Sequence, residues 1–165
     1  MRYRSFRVMA LVSAAVAGAA LSVALISESW GGLVPCALCL LERWPYRIAI
    51  VLGLVAAVVP PRYARILLVL LALSILVGAG LAFVHVGVEA GWWPSPLPEC
   101  AAPRFAGGTI AERLAAMPAR PAKPCDAPTF LIPGLPLSMA AMNLIFACAF
   151  FLTLAISLDR RPRRR

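Results

Sequence analysis

The chain has 165 residues, of which 62% are apolar, and a formal net charge of +9 at neutral pH. Soluble domains contain about 45–50% apolar residues. A single soluble domain of this length could not bury so much apolar surface, so the composition excludes that class and favours the bilayer as solvent.

Four apolar runs predict an all-α membrane protein, a bundle of four transmembrane helices. The runs at 8–26, 66–88 and 137–158 reach the roughly 20 residues that a spanning helix needs. The remaining span, predicted at 44–59, is marginal unless the residues before it also lie at membrane depth. We expect the first span to remain uncleaved, because it exceeds the usual length of about 7–15 apolar residues in a signal peptide.

The basic residues lie on one predicted side of this bundle. Residues 2–7, 60–65 and 159–165 hold 10 basic side chains and one acidic side chain, whereas the rest of the chain holds six of each. By the positive-inside rule both termini are cytoplasmic, and the loops 27–43 and 89–136 lie outside. The basicity is therefore a topology signal, and we expect no nucleic-acid partner.

The second outside loop is rich in proline, which argues against regular structure in most of it. Residues 109–117 are the exception, because Thr109 and Glu112 match a capping box. Three apolar residues repeat on one face of this segment: Ile110, Leu114 and Met117. The pattern predicts a short amphipathic helix on the membrane surface, with a solvated helix packed on the loop as the alternative.

Four of the five cysteines lie in the two outside loops. Cys100 and Cys125 are isolated there, and a structural disulfide worth about 3 kcal/mol is the simplest interpretation in an oxidising compartment. Cys36 and Cys39 form a Cys-x-x-Cys pair, which is typical of redox-active and metal sites. Zinc is a rival interpretation. Cys148, inside the last span, is predicted to be a small buried residue.

Two ionisable residues are predicted near the Cys-x-x-Cys pair, at the outer boundary of the membrane. If the second helix begins at the motif, Arg43 shares a face with Cys39, and its guanidinium lowers the pKa of the Cys39 thiol. The alternatives for Arg43 are snorkelling to the headgroups or an ion pair with Glu42. His85, the only histidine, is a functional candidate because it lies inside a span. Its alternative is a hydrogen-bonded histidine at the headgroup boundary.

Two dithiol pairs on one side of a membrane predict a relay in which thiol–disulfide exchange passes electrons between them. The chain lacks haem and iron–sulfur ligand sets and nucleotide-binding glycine motifs, and a lipid-soluble quinone needs none of these. Residues 35–43, PCALCLLER, resemble the signature of the DsbB family. The tracts 85–100, 124–126 and 137–140 extend the resemblance over nearly the whole chain.

The resemblance implies an enzyme, a protein dithiol:quinone oxidoreductase of the bacterial inner membrane. Its partners would be a periplasmic thioredoxin-fold dithiol oxidase of the DsbA type and the membrane quinone pool, ubiquinone or menaquinone. Many members of the family have a tryptophan shortly after the last loop cysteine, where this chain has Phe130. Two alternatives stay open: a relative dedicated to one thioredoxin-fold partner, and a non-catalytic scaffold with stapled loops.

The resemblance also implies a role for each cysteine. Cys100 would form the mixed disulfide with the partner, Cys125 would exchange with Cys36, and Cys39 would become the thiolate that contacts the quinone. Arg43 would then stabilise this thiolate and the reduced quinone. His85 corresponds to a family position near the quinone.

Overall fold

The computed structural model describes residues 2–100, 109–115, 123–132 and 134–160. Its helices, in chain order, are α1 Arg2–Ser29, α2 Ala37–Val58, α3 Pro61–Glu89, a 3-10 helix Pro98–Cys100, α4 Ile110–Ala115 and α5 Met139–Asp159. The described residues contain no β-strand beyond an isolated bridge between Phe130 and Ser138. The all-α prediction is confirmed, whereas Met117 and the basic tail at 161–165 lie outside the described residues.

Three of the long helices are long and apolar enough to cross a membrane: Ser5–Ser29, Pro61–Glu89 and Met139–Asp159. They indicate a multi-pass membrane protein. The fourth long helix, α2, has 22 residues but carries Glu42, Arg43 and Arg47 in its first half. A fourth crossing therefore stays a prediction that depends on how these charges are accommodated.

Helix α2 begins at the cysteine motif, seven residues before the span predicted from position 44. Ala37 is its first residue, and Cys36 is its N-cap. The Cys36 sulfur accepts a hydrogen bond from the Cys39 N–H at 3.2 Å, so it satisfies one of the amides that a helix start leaves without a partner. This start meets the condition under which Cys39 and Arg43 share a helix face.

Small residues bring the long helices into close contact. Helix α2 packs against both α1 and α3, and α5 packs against α3. At Gly53 of α2, an added Cβ would lie 2.9 Å from the Ala14 side chain of α1. At Gly78 of α3, an added Cβ would lie 3.1 Å from Pro45 of α2. Close approach through small residues is the usual packing of membrane helices, because lipid removes the hydrophobic drive between them.

A glycine turn ends α3 and redirects the chain over the bundle end. Gly91 has a φ of 72°, a conformation that costs little only for glycine. The Trp92 N–H donates to the Gly87 carbonyl at 2.9 Å and the Gly91 N–H to the Val88 carbonyl at 3.1 Å, the two bonds of a Schellman motif. The next residue, Trp93, packs over Gly87, where a Cβ would lie 2.0 Å from its ring.

The predicted capping box of the loop helix is confirmed. The Thr109 N–H donates to the Glu112 carboxylate at 2.7 Å, and the Glu112 N–H donates to the Thr109 hydroxyl at 3.3 Å. These bonds from Thr109 hold the pKa of the Glu112 carboxyl below its usual value. Ile110 is 79% exposed. Location of α4 on a membrane surface remains a prediction.

Candidate active site

The two cysteine pairs lie together at the end of the bundle where α2 begins and α3 ends. Cys100 and Cys125 form a disulfide, whereas Cys36 and Cys39 are free thiols with their sulfurs 2.7 Å apart. Cys36, Cys100 and Cys125 belong to one buried cluster, and Cys39 packs against it. Residues separated by up to 89 positions are thus brought within one site.

The two sulfurs of the Cys-x-x-Cys pair have different surroundings. Cys36 is buried, with 4% of its surface exposed, whereas Cys39 is partly exposed. The hydrogen bond with the Cys39 thiol lowers the pKa of the Cys36 thiol, burial raises it, and the Cys39 backbone N–H lowers it, with a net lowering. Cys36 is therefore the sulfur better placed to carry a negative charge in this arrangement.

His85 of α3 connects the cysteine pair to a buried carboxylate. Its Nε2 lies 3.5 Å from the Cys36 sulfur, and its Nδ1 lies 2.7 Å from Oε1 of Glu42. His85 and Glu42 are 3% and 7% exposed. Glu89, one turn along α3, lies farther from the ring, with 3.9 Å between its Oε1 and Nε2. His85 is therefore buried and hydrogen-bonded beside a thiol, and its role as a functional residue stays a prediction.

The polar contacts continue from α2 to α5. The second oxygen of Glu42 accepts a hydrogen bond from Asn143 Nδ2 at 2.6 Å. The Asn143 carbonyl oxygen accepts in turn from the Tyr46 hydroxyl, also at 2.6 Å. Every polar atom of the Glu42 side chain therefore has a partner, as a buried carboxylate requires.

Arg43 is buried and forms an ion pair with Glu28 of α1, with 2.6 Å between Nη1 and Oε2. The alternative pair with Glu42 was wrong, because both oxygens of Glu42 are occupied by other partners. Arg43 and Cys39 line the same cavity. The described contacts include no hydrogen bond between them, so direct stabilisation of a Cys39 thiolate by Arg43 stays a prediction.

A cavity of about 480 Å³ opens beside the thiol pair. Its apolar walls come from α1 and α5, including Val16, Ala20 and Phe146. Its polar lining includes five side chains of the site: Cys39, Glu42, Arg43, His85 and Asn143. Lys123, Ala127 and Thr129, from the segment around Cys125, also border it. The volume lies in the range of small-molecule sites, which are mostly apolar with a few polar groups.

Comparison with protein-family models identifies the chain. The model for "Disulfide bond formation protein DsbB" matches residues 6–157. The chain belongs to the DsbB family. Comparisons with curated proteins and with solved structures gave no match. Membership in the DsbB family establishes a membrane-embedded protein of a disulfide-forming oxidoreductase family, and the family uses quinones.

The thiol pair also bears on the zinc interpretation. One ligand atom each from Cys36, Cys39 and His85 lies within 4.8 Å of the others. Two thiolates on one tetrahedral zinc ion stand about 3.8 Å apart, since each Zn–S bond is about 2.3 Å. The sulfurs stand 2.7 Å apart, so a zinc ion would require them to separate, and the zinc interpretation stays an untested alternative.

Sequence reasoning was wrong about Cys148 and missed several members of the DsbB site. Cys148 is exposed on the outward face of α5, because an uncharged apolar run does not show which face meets the bundle. Glu28, Tyr46 and Asn143 were not predicted as site residues. Asn143 carried a usable signal, since it is the only asparagine in the chain and lies within an apolar span.

Proposed function

We propose that this protein is a protein dithiol:quinone oxidoreductase that reoxidises a DsbA-like dithiol oxidase in the periplasm. The observation that carries the proposal is the cavity of about 480 Å³ beside Cys39, with the second cysteine pair packed behind Cys36. One side of the thiol pair thus faces a site for a small apolar molecule, and the other faces a disulfide.

The cavity suits a quinone by its chemistry. A quinone has a flat ring with two carbonyl oxygens and a long apolar tail, and the walls from α1 and α5 are apolar. The Arg43 guanidinium has five N–H donors, and its pair with Glu28 holds it at the cavity wall. We propose that Arg43 donates to a quinone oxygen. A bound quinone would supply the acceptor for two electrons.

The cysteines of this chain carry the electrons to that acceptor by exchange. A thiolate of the partner attacks Cys100, forms a mixed disulfide and releases Cys125 as a thiolate. Cys125 then attacks Cys36 of an oxidised Cys36–Cys39 pair, and Cys39 leaves as a thiolate beside the cavity. Each step breaks one S–S bond and forms another, so electrons and atoms balance.

Topology is part of the proposal. All four of these cysteines lie at one end of the bundle, where α1 and α3 end and α2 and α5 begin. The net positive charge of the chain is carried by the other end and the tails. By the positive-inside rule, we propose that the cysteine end faces the periplasm and both termini face the cytoplasm of a bacterial inner membrane.

A quinone-reduction assay tests the proposal. Purified protein, a soluble quinone analogue and a reduced thioredoxin-fold dithiol protein should give loss of quinone absorbance and oxidation of the partner. Cys39→Ser should abolish turnover, whereas the matched variant Cys148→Ser, at an exposed free cysteine on α5, should retain it. Turnover that survives Cys39→Ser would contradict the relay.

Two alternatives are separated by further measurements. A panel of thioredoxin-fold partners distinguishes a general oxidase from a relative dedicated to one partner, since only the latter gives turnover with a single member. Thiol trapping tests the non-catalytic scaffold. In a relay, Cys36 and Cys39 cycle between reduced and oxidised forms with partner and quinone, whereas in a scaffold their state does not respond to either.

A further inference from the structure

A chain of hydrogen-bonded polar side chains lies beside Cys36. Glu42 contacts His85 and Asn143, and these three side chains come from α2, α3 and α5. Burying a carboxylate costs several kcal/mol unless it is paired and hydrogen-bonded. Because a buried carboxylate is costly, its presence next to a reactive thiol suggests that it takes part in the chemistry of that thiol.

The hydrogen bonds determine which nitrogen of His85 faces the thiol as an acceptor. Glu42, as a carboxylate, only accepts, so the Nδ1 of His85 must carry the hydrogen that it donates to Oε1 at 2.7 Å. In the neutral ring this leaves Nε2 with a lone pair. Nε2 lies 3.5 Å from the Cys36 sulfur, within the distance at which a thiol donates a hydrogen bond.

We propose that His85, oriented by Glu42, accepts the proton of the Cys36 thiol when this sulfur takes part in exchange with the loop cysteines. His85 acts here as a catalytic residue because it touches the reacting sulfur, and Glu42 acts as a positioning residue. This inference rests on the proposed function only for its direction of electron flow.

The step is a balanced thiol–disulfide exchange. The Cys36 proton moves to His85 Nε2, and the Cys36 thiolate attacks one sulfur of the Cys100–Cys125 disulfide. That S–S bond breaks, a bond from Cys36 to the attacked sulfur forms, and the other sulfur leaves as a thiolate. In the proposed function electrons flow from the loop pair to Cys36 and Cys39, so turnover runs this equilibrium in reverse: the loop thiolate attacks the bond to Cys36, Cys36 is the leaving group, and the imidazolium returns the proton to it. No outside oxidant takes part.

Several charged groups surround the His85 ring. The ionisable groups that face the ring, or line the cavity next to it, come from all the packed elements: Cys36, Cys39, Glu42 and Tyr46 from α2, Glu89 from α3, the Glu28–Arg43 pair between α1 and α2, and Lys123 from the loop. The carboxylates nearest the ring are Glu42 and Glu89. Arg43, the arginine of this set, is paired with Glu28.

The helix start supports the same assignment of roles. The Cys39 N–H donates to the Cys36 sulfur at 3.2 Å, and the positive end of the α2 dipole favours an anion at its N-cap. Cys39 lies one turn inside the helix, and both cysteines line the cavity. The N-cap position thus favours Cys36 as the sulfur that carries the negative charge.

The pH dependence of thiol labelling tests the inference without quinone or partner. In a Cys39→Ser, Cys148→Ala background, with the loop disulfide intact, Cys36 is the only free thiol. The rate of its reaction with iodoacetamide is measured from pH 4 to 10, with the labelled site identified by mass spectrometry. His85→Gln should raise the midpoint of this profile by about one pH unit or more, so labelling near neutral pH slows about tenfold.

Matched variants separate a specific role from a structural one. Glu42→Gln has the same shape and keeps a polar contact on both sides if the Asn143 amide flips, so it should fold and still raise the midpoint. Glu89→Gln removes a carboxylate close to the ring without breaking the Nδ1 hydrogen bond, and should shift the midpoint less. In a Cys36→Ser, Cys148→Ala background, labelling of Cys39 should depend little on His85.

An unchanged Cys36 profile in both His85→Gln and Glu42→Gln would overturn the inference. So would a larger His85 dependence for Cys39 than for Cys36. Equal labelling of all variants in denaturant, and unchanged helical circular dichroism, show that the comparison concerns folded protein. Because no quinone is present, absence of quinone turnover would refute the proposed function while leaving the labelling result to decide this inference by itself.

Discussion

Replacing Asn143 by leucine should reveal how strongly α5 is tied to the site. Asn143 makes two hydrogen bonds of 2.6 Å, to Glu42 and from Tyr46, and leucine has a similar volume without polar atoms. A hydrogen bond between membrane helices contributes about 0.6 kcal/mol on average, and one to a charged group about 1.5–3 kcal/mol. Asn143→Leu should therefore lower the free energy of unfolding by about 2–4 kcal/mol.

A second substitution, Tyr46→Phe, tests the same contact, because its effect on the free energy of unfolding should change with the residue at position 143. Tyr46 is 5% exposed, so in Asn143→Leu its hydroxyl is left buried without the Asn143 acceptor. Tyr46→Phe should destabilise the wild-type protein by about 0.6–1 kcal/mol. In the Asn143→Leu background it should be neutral or stabilising, because it removes a buried polar group that has lost its partner.

Unfolding in detergent micelles, followed by circular dichroism as the fraction of denaturing detergent rises, measures all four proteins of this cycle. The coupling energy should exceed the roughly 0.3–0.5 kcal/mol within which independent sites add. If Tyr46→Phe costs the same in both backgrounds, the two side chains do not interact as described, and the connection from α5 to Glu42 is incorrect.

Three further predictions concern helix packing, a helix end and the loop helix. Gly53→Ala should destabilise the protein by about 1–3 kcal/mol, because its Cβ would lie 2.9 Å from α1, whereas Gly80→Ala meets nothing within 4 Å and should be neutral or stabilising in the same unfolding assay. Gly91→Ala should lower the free energy of unfolding by about 1–2 kcal/mol, since its φ of 72° disfavours a side chain. The pKa of Glu112 is lowered in the folded state by its bonds from Thr109, so the cap is fully present above the ordinary value of 4.5 and is lost as pH falls through the folded pKa. The protection of the α4 amides, taken relative to the intrinsic exchange rate at each pH, should fall there and stay steady between pH 5 and 7.

The long helices were predictable because their signal is local. An apolar run long enough to cross a membrane forms a helix that satisfies its own backbone hydrogen bonds. The sequence did not by itself predict that α2 begins at Cys36, because cysteine is not among the residues that helices prefer at the N-cap. Its sulfur nevertheless accepts the Cys39 N–H, a contact that composition and hydropathy do not indicate.

The contacts of the site were not predictable, because they join distant positions. Glu42 meets His85 across 43 positions and Asn143 across 101, and no local pattern encodes such pairings. The sequence predicted that Arg43 acts on the Cys39 thiol, with a Glu42 pair or snorkelling as alternatives, and did not indicate the ion pair that it forms with Glu28 at the end of α1. A single sequence shows which side chains can form ion pairs and hydrogen bonds, and the packing of the four long helices determines which of them come into contact.

These pairings are consistent with the predicted crossing of the membrane by α2, whose composition resembles a span least. A lone charge at membrane depth is costly, whereas a charge with a partner and hydrogen bonds is tolerated. Glu42 is held by His85 and Asn143, and Arg43 is held by Glu28.

Arg47 is exposed and lies 5.3 Å from the Trp44 ring centre, as expected of a cation and an aromatic side chain at an interface. Two of the three charges that weaken α2 as a span, Glu42 and Arg43, thus have partners on other helices. We therefore expect that Glu28→Ala, which leaves Arg43 without its ion pair, shortens the protected part of α2 in hydrogen exchange, and that Arg47→Ala does not.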